Sequence, residues 1–451
     1  MLDGFWTRID RMGDRPALLL PFRPAITYSE LADRVASLSG ALGTSKKLVA
    51  IEAAQSEHPI IAYLAAFAGG HAVALLPPED GMAWSSFMER FAPEIVYRRE
   101  GGRWRLMEAN HSSSDAAVHP DLALMLVTSG STGSGKAVRL SKTAVAANAE
   151  QIAGYLGLHA GDIGALVLPL HYSYGLSVLN SHLAVGAAVW MPGTSVLEPT
   201  FLDDFRAARC TNFAGVPHSY ELLEQRGFRE QSYPDLRFMT VAGGRMEPET
   251  VRRYHGWLQG EGQRFFAMYG QTEATARIAY VPPEHLPGSA DRIGVAVPGG
   301  ELWLVDDEGM RITGSDIAGE LVYRGPNVML GYAETRQDLA GGADIEELRT
   351  GDLATHDKNG LFRITGRLRR MSKIGGVRLG HDALETALAV KGITAAVVGN
   401  DQQLLVAFAV RKLRKTFVRR WRCLRVSACR RCAQSPLGRK LIKLLGIVRV
   451  S

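Results

Sequence analysis

Short apolar runs and longer amphipathic stretches alternate along most of the chain. In Thr27-Tyr-Ser-Glu30 a hydroxyl stands three residues before a carboxylate, a capping-box pattern, and Leu31, Val35 and Leu38 follow at helical spacing. KLVAIEAA then predicts a strand, HPIIAYLAAFAG a buried helix and AVALLP a second strand, while RREGGRWRLMEANHSSSD predicts a short hairpin and a polar loop. A second series comprises LALMLVTS, ALVLPL, AAVWMP, NFAGVP, RFMTVAGG and RFFAMYG. These apolar runs end in Gly, Pro or Ser, as strands do where they feed loops. From about Gly294 the alternation becomes hairpin-like, in ELWLVDDEG, GELVYRG and LFRITGR. The order predicts an α/β fold. A large N-terminal domain of mixed sheets and helices would span 1–366, with a β-rich subdomain over about 294–366. A small α+β C-terminal domain, 367–451, would begin at the charged break Arg367 to Arg370.

Composition changes this picture only at the end of the chain. The 451 residues, 46% hydrophobic and 22% charged, suit a globular protein of two or three domains. Formal net charge is +6, yet residues 411–451 carry 14 Lys or Arg and no acid. Residues 1–410 therefore hold 38 basic and 46 acidic side chains, a net charge of −8. The basic balance belongs to the tail, so no nucleic-acid partner is expected of the main body. Charges run throughout MLDGFWTRIDRMGDR, so no signal peptide is expected there. The apolar stretch from Pro59 to Leu76 is broken by Gly69-Gly70-His71 and does not predict a membrane span. With Cys210 alone in the main body, a reducing, cytoplasmic setting is expected.

VTSGSTGSGKAV carries the first candidate chemistry. From Gly130 to Lys136 it matches a P-loop, but Ala137 stands where that loop places a magnesium-binding hydroxyl. A P-loop also needs a helix to start on the loop. Here AVRLS predicts a strand, and a helix follows only after Ser141, a good N-cap. The pattern is strand–loop–strand. Gly130, Gly133 and Gly135 still let backbone N–H groups converge on an anion, and Thr128, Ser129, Ser131, Thr132 and Ser134 add hydroxyls before the Lys136 cation.

TSGSTGSGK resembles the phosphate loop of the adenylate-forming enzymes, which include acyl-CoA synthetases, luciferases and the adenylation domains of peptide synthetases. Gly135 and Ala137 stand where that family usually has Pro and Gly. Further resemblances follow in order, over about residues 10–390. Gly243 and Gly244, ending RFMTVAGG, match a backbone that borders adenine. Tyr269-Gly270-Gln-Thr272-Glu273 matches a segment in which Tyr269 lies along adenine, Thr272 touches the α-phosphate and Glu273 holds Mg²⁺. Asp352, in Arg349-Thr-Gly-Asp, matches the carboxylate that accepts the ribose hydroxyls. Arg367, also near the ribose, and Lys373 belong to GRLRRMSKIGGVRLGHDALE, which resembles the hinge opening the family's mobile C-terminal domain; Arg369 replaces its usual Asp. The resemblance implies ATP, Mg²⁺ and a thiol acceptor, coenzyme A or the phosphopantetheine of an acyl carrier protein.

Pro169-Leu-His-Tyr-Ser-Tyr-Gly175 resembles the acyl-ligase substrate segment, with His171, Tyr172 and Tyr174 as substrate residues. Peptide-synthetase domains place an Asp there to hold an ammonium, and none occurs between Pro169 and Ser181. A fatty or aryl carboxylic acid is therefore the expected substrate. Amino-acid adenylation for a carrier protein and a non-catalytic nucleotide-binding relative are the alternatives. The family's C-terminal lysine has one candidate, Lys440, in Ser435-Pro-Leu-Gly-Arg-Lys440. The tail admits three readings: a metal site from Cys423, Cys429 and Cys432, a basic segment on an anionic membrane, or a changed reading frame or terminus. The abrupt loss of acidic residues favours the last, which would leave the C-terminal domain incomplete and adenylation weakened.

Overall fold

The computed structural model describes residues 4–78, 81–109, 117–127, 136–374, 377–390, 395–400, 403–410 and 420–427. They fall into two compact units: Met1–Leu302 with Tyr323–Leu348, and Trp303–Val322 with Arg349–Ser451.

The first unit is α/β, as expected, and its described residues form two large mixed sheets. One has the order Gly331–Ala333, Ala137–Ser141, Leu122–Val127, Ala72–Leu76, Leu48–Glu52, Ile95–Glu100, Arg103–Glu108. Its middle strands pair parallel, and Leu48–Glu52 and Ala72–Leu76 are buried throughout, which explains runs such as AVALL with no polar alternation. The helix Glu57–Ala68 between two of them is apolar on all sides because it, too, is buried. The expected capping box closes around Tyr28–Leu42: Thr27 Oγ1 accepts from the Glu30 amide and Glu30 Oε2 from that of Thr27.

The other sheet has nine strands among the described residues. Arg264–Tyr269, Phe238–Val241, Asn212–Gly215, Ile163–Ala165, Ala188–Trp190 and Pro16–Leu19 run parallel, with short antiparallel strands at both margins. One expectation is corrected. The strand placed at ALVLPL is Ile163–Ala165, extended only by the Leu166 amide donating to the Trp190 carbonyl. Pro169, which has no N–H for a ladder, then turns the chain into the helix Ser173–Ala184. Beneath the sheet, Arg237 donates to both oxygens of fully buried Asp162, at 2.5 and 2.6 Å. Burial pushes that carboxyl up, but this pairing and the Thr211 hydroxyl hold it below the usual range.

The second unit contains most of a five-stranded sheet ordered Arg311–Ile312, Glu301–Val305, Gly319–Arg324, Leu348–His356, Phe362–Arg367, antiparallel in its two outer pairs. Beyond it come the hairpin Met371–Ile374 with Val377–Gly380, the helix His381–Val390, and a sheet of Ala395–Asn400, Gln403–Val410 and Arg420–Ser427. Leu384 and Leu388 pack on Val397, Leu404 and Val406. Glu385 Oε1 accepts from Arg370 at 2.6 Å and from the Val397 amide at 2.7 Å. Part of the basic tail is thus a strand, in register with its neighbour from Val410↔Arg420 to Gln403↔Ser427.

Candidate functional site

The strands Leu122–Val127 and Ala137–Ser141 pair antiparallel, with Val127 opposite Ala137, and Ser141 Oγ caps the helix Lys142–Leu156 by accepting from the Ala144 amide at 3.0 Å. The setting is strand–loop–strand. Thr128, Ser129, Gly130, Ser131, Thr132 and Gly133 lie outside the described residues. Lys136 is exposed at the loop's end. Its Nζ is 3.0 Å from Glu334 and 5.5 Å from the ring centre of Tyr332. Tyr332 sits on the strand Gly331–Ala333, opposite Val138.

Tyr332 connects this cation to the next motif. Its hydroxyl donates to Glu273 Oε1 at 2.8 Å, and the Glu273 carbonyl accepts from the Met329 amide. Thr272 opens the 3₁₀ turn Thr272–Ala274, and its Oγ1 is 3.2 Å from Ser173 Oγ, inside the candidate substrate segment. Gln271 donates to the Tyr269 hydroxyl. Gly270 is required by packing, since a β-carbon there would lie 1.8 Å from the Ala276 carbonyl oxygen. After Glu273 the chain reverses at Thr275, whose φ of +64° is strained for a β-branched residue. Buried Asn327 secures the reversal. Its amide nitrogen donates to the Ala274 and Arg277 carbonyls, and its own carbonyl accepts from Thr275 Oγ1.

The substrate segment lies against the strand that ends in Gly243-Gly244. Gly243 has φ +77°, and a β-carbon on it would fall 2.1 Å from the Tyr172 hydroxyl. Tyr172 and Tyr174 rings meet edge to face at 6.3 Å, and the buried Tyr174 hydroxyl is 2.7 Å from Thr240 Oγ1. His171 is half-buried, Nδ1 has no hydrogen-bond partner among the described residues, and burial pushes its pKa down. Arg277, unremarked in the sequence, lies with its guanidinium carbon 4.0 Å from the Tyr174 ring centre. Burial raises the Tyr172 hydroxyl's pKa, and the Arg277 charge opposes that rise.

In the second unit Asp352, only 2% exposed, accepts from Arg367 Nε at 2.9 Å across paired strands. The two residues expected near ribose are thus partners. Glu320 accepts from Arg349 at 2.8 Å and from the Gly351 amide, fixing the turn before Asp352. Lys373 is opposite Arg378 in its hairpin. Cys423 is on the tail strand opposite Ala407, whereas Cys429, Cys432 and Lys440 lie outside the described residues. Among the described residues no His, Cys, Asp or Glu cluster could hold a metal by itself, and no helix is long and apolar enough to cross a membrane.

Lys136, Thr272 and Glu273 fit a magnesium–triphosphate. Glu273 offers a hard carboxylate oxygen beyond its bond from Tyr332, whose ring carries the Lys136 ammonium, and the Thr272 hydroxyl belongs to the preceding residue. A model of the family described as AMP-binding enzyme matches residues 85–333. The chain belongs to the AMP-binding enzyme family. Its sequence is 29% identical to the oxalate–CoA ligase of Arabidopsis thaliana over 61% of this chain and 54% of that one. Identity is 30% to the indoleacetate–CoA ligase of Aromatoleum aromaticum, over 72% and 60%. It is 32% to the L-proline–[L-prolyl-carrier protein] ligase of Pseudomonas fluorescens, over 64% and 57%. The chain spans about half the length of the curated relatives it matches. The AMP-binding fold itself recurs in the O-succinylbenzoate coenzyme A synthetase of Bacillus subtilis in complex with AMP, with a TM-score of 0.71 at 21% identity over 88% of this chain and 85% of that one. An ATP-bound RpMatB-BxBclM chimera gives 0.73 at 23% identity, over 100% and 93%.

Proposed function

We propose that this chain activates a carboxylic acid with ATP and passes the acyl group to the thiol of coenzyme A. A carboxylate oxygen attacks the α-phosphorus, the bond from that phosphorus to the β-phosphate's bridging oxygen breaks, and pyrophosphate leaves an acyl-adenylate. The thiol then attacks the acyl carbonyl, releasing its proton to solvent, and AMP departs. The observation that carries this reading is a convergence within the first unit. Lys136 lies over Tyr332, Tyr332 bonds Glu273, Thr272 meets Ser173, and Tyr172 lies on Gly243.

In this reading Lys136 and the hydroxyls and amides of 128–133 offset the triphosphate charge, and Thr272 donates toward the α-phosphate. Glu273 would hold Mg²⁺, which adds positive charge where negative charge builds up. Gly243, Gly244, Tyr269 and Gly270 border the adenine, Asp352 and Arg367 receive the ribose, and Lys373 serves from the hinge. His171, Tyr172 and Tyr174 line the acid. An amino acid fits poorly, because its ammonium would meet the Arg277 cation beside Tyr174 rather than a carboxylate. Transfer to a carrier-protein thiol is a second reading, favoured by the prolyl-carrier ligase among the relatives.

A pyrophosphate-exchange panel of fatty, aryl and amino acids tests the reading. Exchange driven by carboxylic acids is expected, and Glu273→Gln should lower it about 10²–10³-fold. Exchange with amino acids alone would overturn the choice of substrate, and ATP binding without exchange on any acid would overturn the activity.

A further inference from the structure

Arg277 is 3% exposed, yet among the described residues no carboxylate pairs with it. Nη1 donates to the Ala276 carbonyl at 3.2 Å, and Nε is buried with no hydrogen-bond partner. The charge rests against the Tyr174 face, the Tyr155 hydroxyl takes a hydrogen bond from the guanidinium, and Tyr172 lies within its field. A guanidinium has five donors in a planar fork that matches a carboxylate, so this one is mostly unspent. Its place in the site is specific. Glu273 and Thr272 face Tyr332 and Ser173, the chain reverses at Thr275, and Arg277 returns among the tyrosines of the candidate acid pocket. The cation therefore lies against Tyr174 of the candidate substrate segment and makes no pair with the carboxylate of Glu273.

We propose that Arg277 receives a second carboxylate on the acid, remote from the one that is activated, so that the preferred substrate is a dicarboxylic acid. This rests on the acid-activating function proposed above. The pairing uses donors that apolar or monocarboxylic chains leave unmet, and specificity follows because a monoacid leaves the buried cation unpaired.

The test is calorimetric binding of matched acids to the full chain with a non-hydrolysable ATP analogue: butyrate against succinate, octanoate against suberate, benzoate against isophthalate. In every pair that binds, the diacid is expected to be at least about ten-fold tighter. Arg277→Met should erase that advantage, bringing both members of each pair to the same affinity, and Arg277→Lys should keep part of it. A melting temperature maintained in Arg277→Met separates lost recognition from lost folding. Monoacids binding as tightly as diacids, or Arg277→Met weakening both members of a pair equally, would overturn the proposal while leaving acid activation standing. Absence of binding by any acid would overturn both, and the exchange panel would then show which acids, if any, the protein accepts.

Discussion

Two buried arginines in the first unit look alike by exposure and differ in every other respect. Arg139, 2% exposed, donates to the carbonyls of Tyr332, Gly341 and Gly342 and pairs with Asp344 at 2.6 Å. Its desolvation is offset by a nearly complete set of acceptors. Arg277 has one backbone carbonyl, one aromatic face and the Tyr155 hydroxyl, and no carboxylate among the described residues. A cation–π contact contributes up to about 2 kcal/mol and each charged hydrogen bond about 1.5–3, against a penalty of several kcal/mol for a buried ion. Opposite signs are expected on substitution. Arg139→Met should destabilise by about 3–5 kcal/mol, because it strands three carbonyls. Arg277→Met should leave stability unchanged or raise it by about 1–2 kcal/mol. Urea unfolding of the two variants decides the matter, and equal losses in both would contradict it. A residue kept at a stability cost is what a binding site retains.

At the scale of elements, the turn between Glu273 and Arg277 depends on a residue fifty positions away. Asn327 is fully buried and uses both ends of its amide, donating to Ala274 and Arg277 and accepting from the Tyr323 hydroxyl at 2.6 Å. Asn327→Ala should cost about 2–4 kcal/mol, since two carbonyls and a phenol lose buried partners while Thr275 stays strained. It should also weaken acid binding in calorimetry more than ATP binding, because Arg277 leaves its place while Lys136 does not. Equal effects on both ligands would contradict this. Such coupling was only partly legible in the sequence. The capping box at Thr27, the strand after Lys136 and the Ser141 cap were legible, because each is fixed within a few residues by hydrogen-bond chemistry. Margin strands such as Ala279–Tyr280 and Gly331–Ala333 were not, since two or three residues carry no periodicity. The bond from Tyr332 to Glu273 was not legible either, because it arises only when Gly331–Ala333 pairs with Ala137–Ser141. Arg277 gave no signal at all, because a lone Arg after an apolar strand is ordinarily a solvated end.

At the scale of the whole molecule, four histidines make folding most sensitive to acid, and a fifth, His58, 43% of whose side chain is exposed, is lowered in the same direction. His71, His171, His182 and His255 are each held below the ordinary value of 6.5, and burial is the leading cause in every case. The surroundings of two of them require a neutral ring. His182 Nδ1 donates to the Val178 carbonyl while Nε2 accepts from Asn212, and His71 Nε2 donates to Gly43 while Nδ1 accepts from the Lys47 amide. A second proton would face an N–H donor in both rings. Both nitrogens of His255 are buried without hydrogen-bond partners among the described residues, so that ring has no acceptor to stabilise a cation, and His171 lacks one at Nδ1. Since the folded values lie below the unfolded ones, the unfolded chain binds more protons as pH falls past 6.5. Stability is therefore complete above that pH and lost below it, until each folded value is reached. Each ring contributes at most about 1.4 kcal/mol per pH unit, so four together set a ceiling of about 5–6. All four lie in the unit Met1–Leu302 with Tyr323–Leu348, so one calorimetric transition should move and any separate transition of the other unit should move less. The melting temperature of that transition is expected to hold between pH 8 and 7 and to fall between pH 6.5 and 5.5. Replacing His182 by Gln removes one titrating ring and should flatten the slope, even if it lowers stability at pH 8. A transition that does not move between pH 7.5 and 5.5 would show that these rings take up protons in the folded chain as readily as in water.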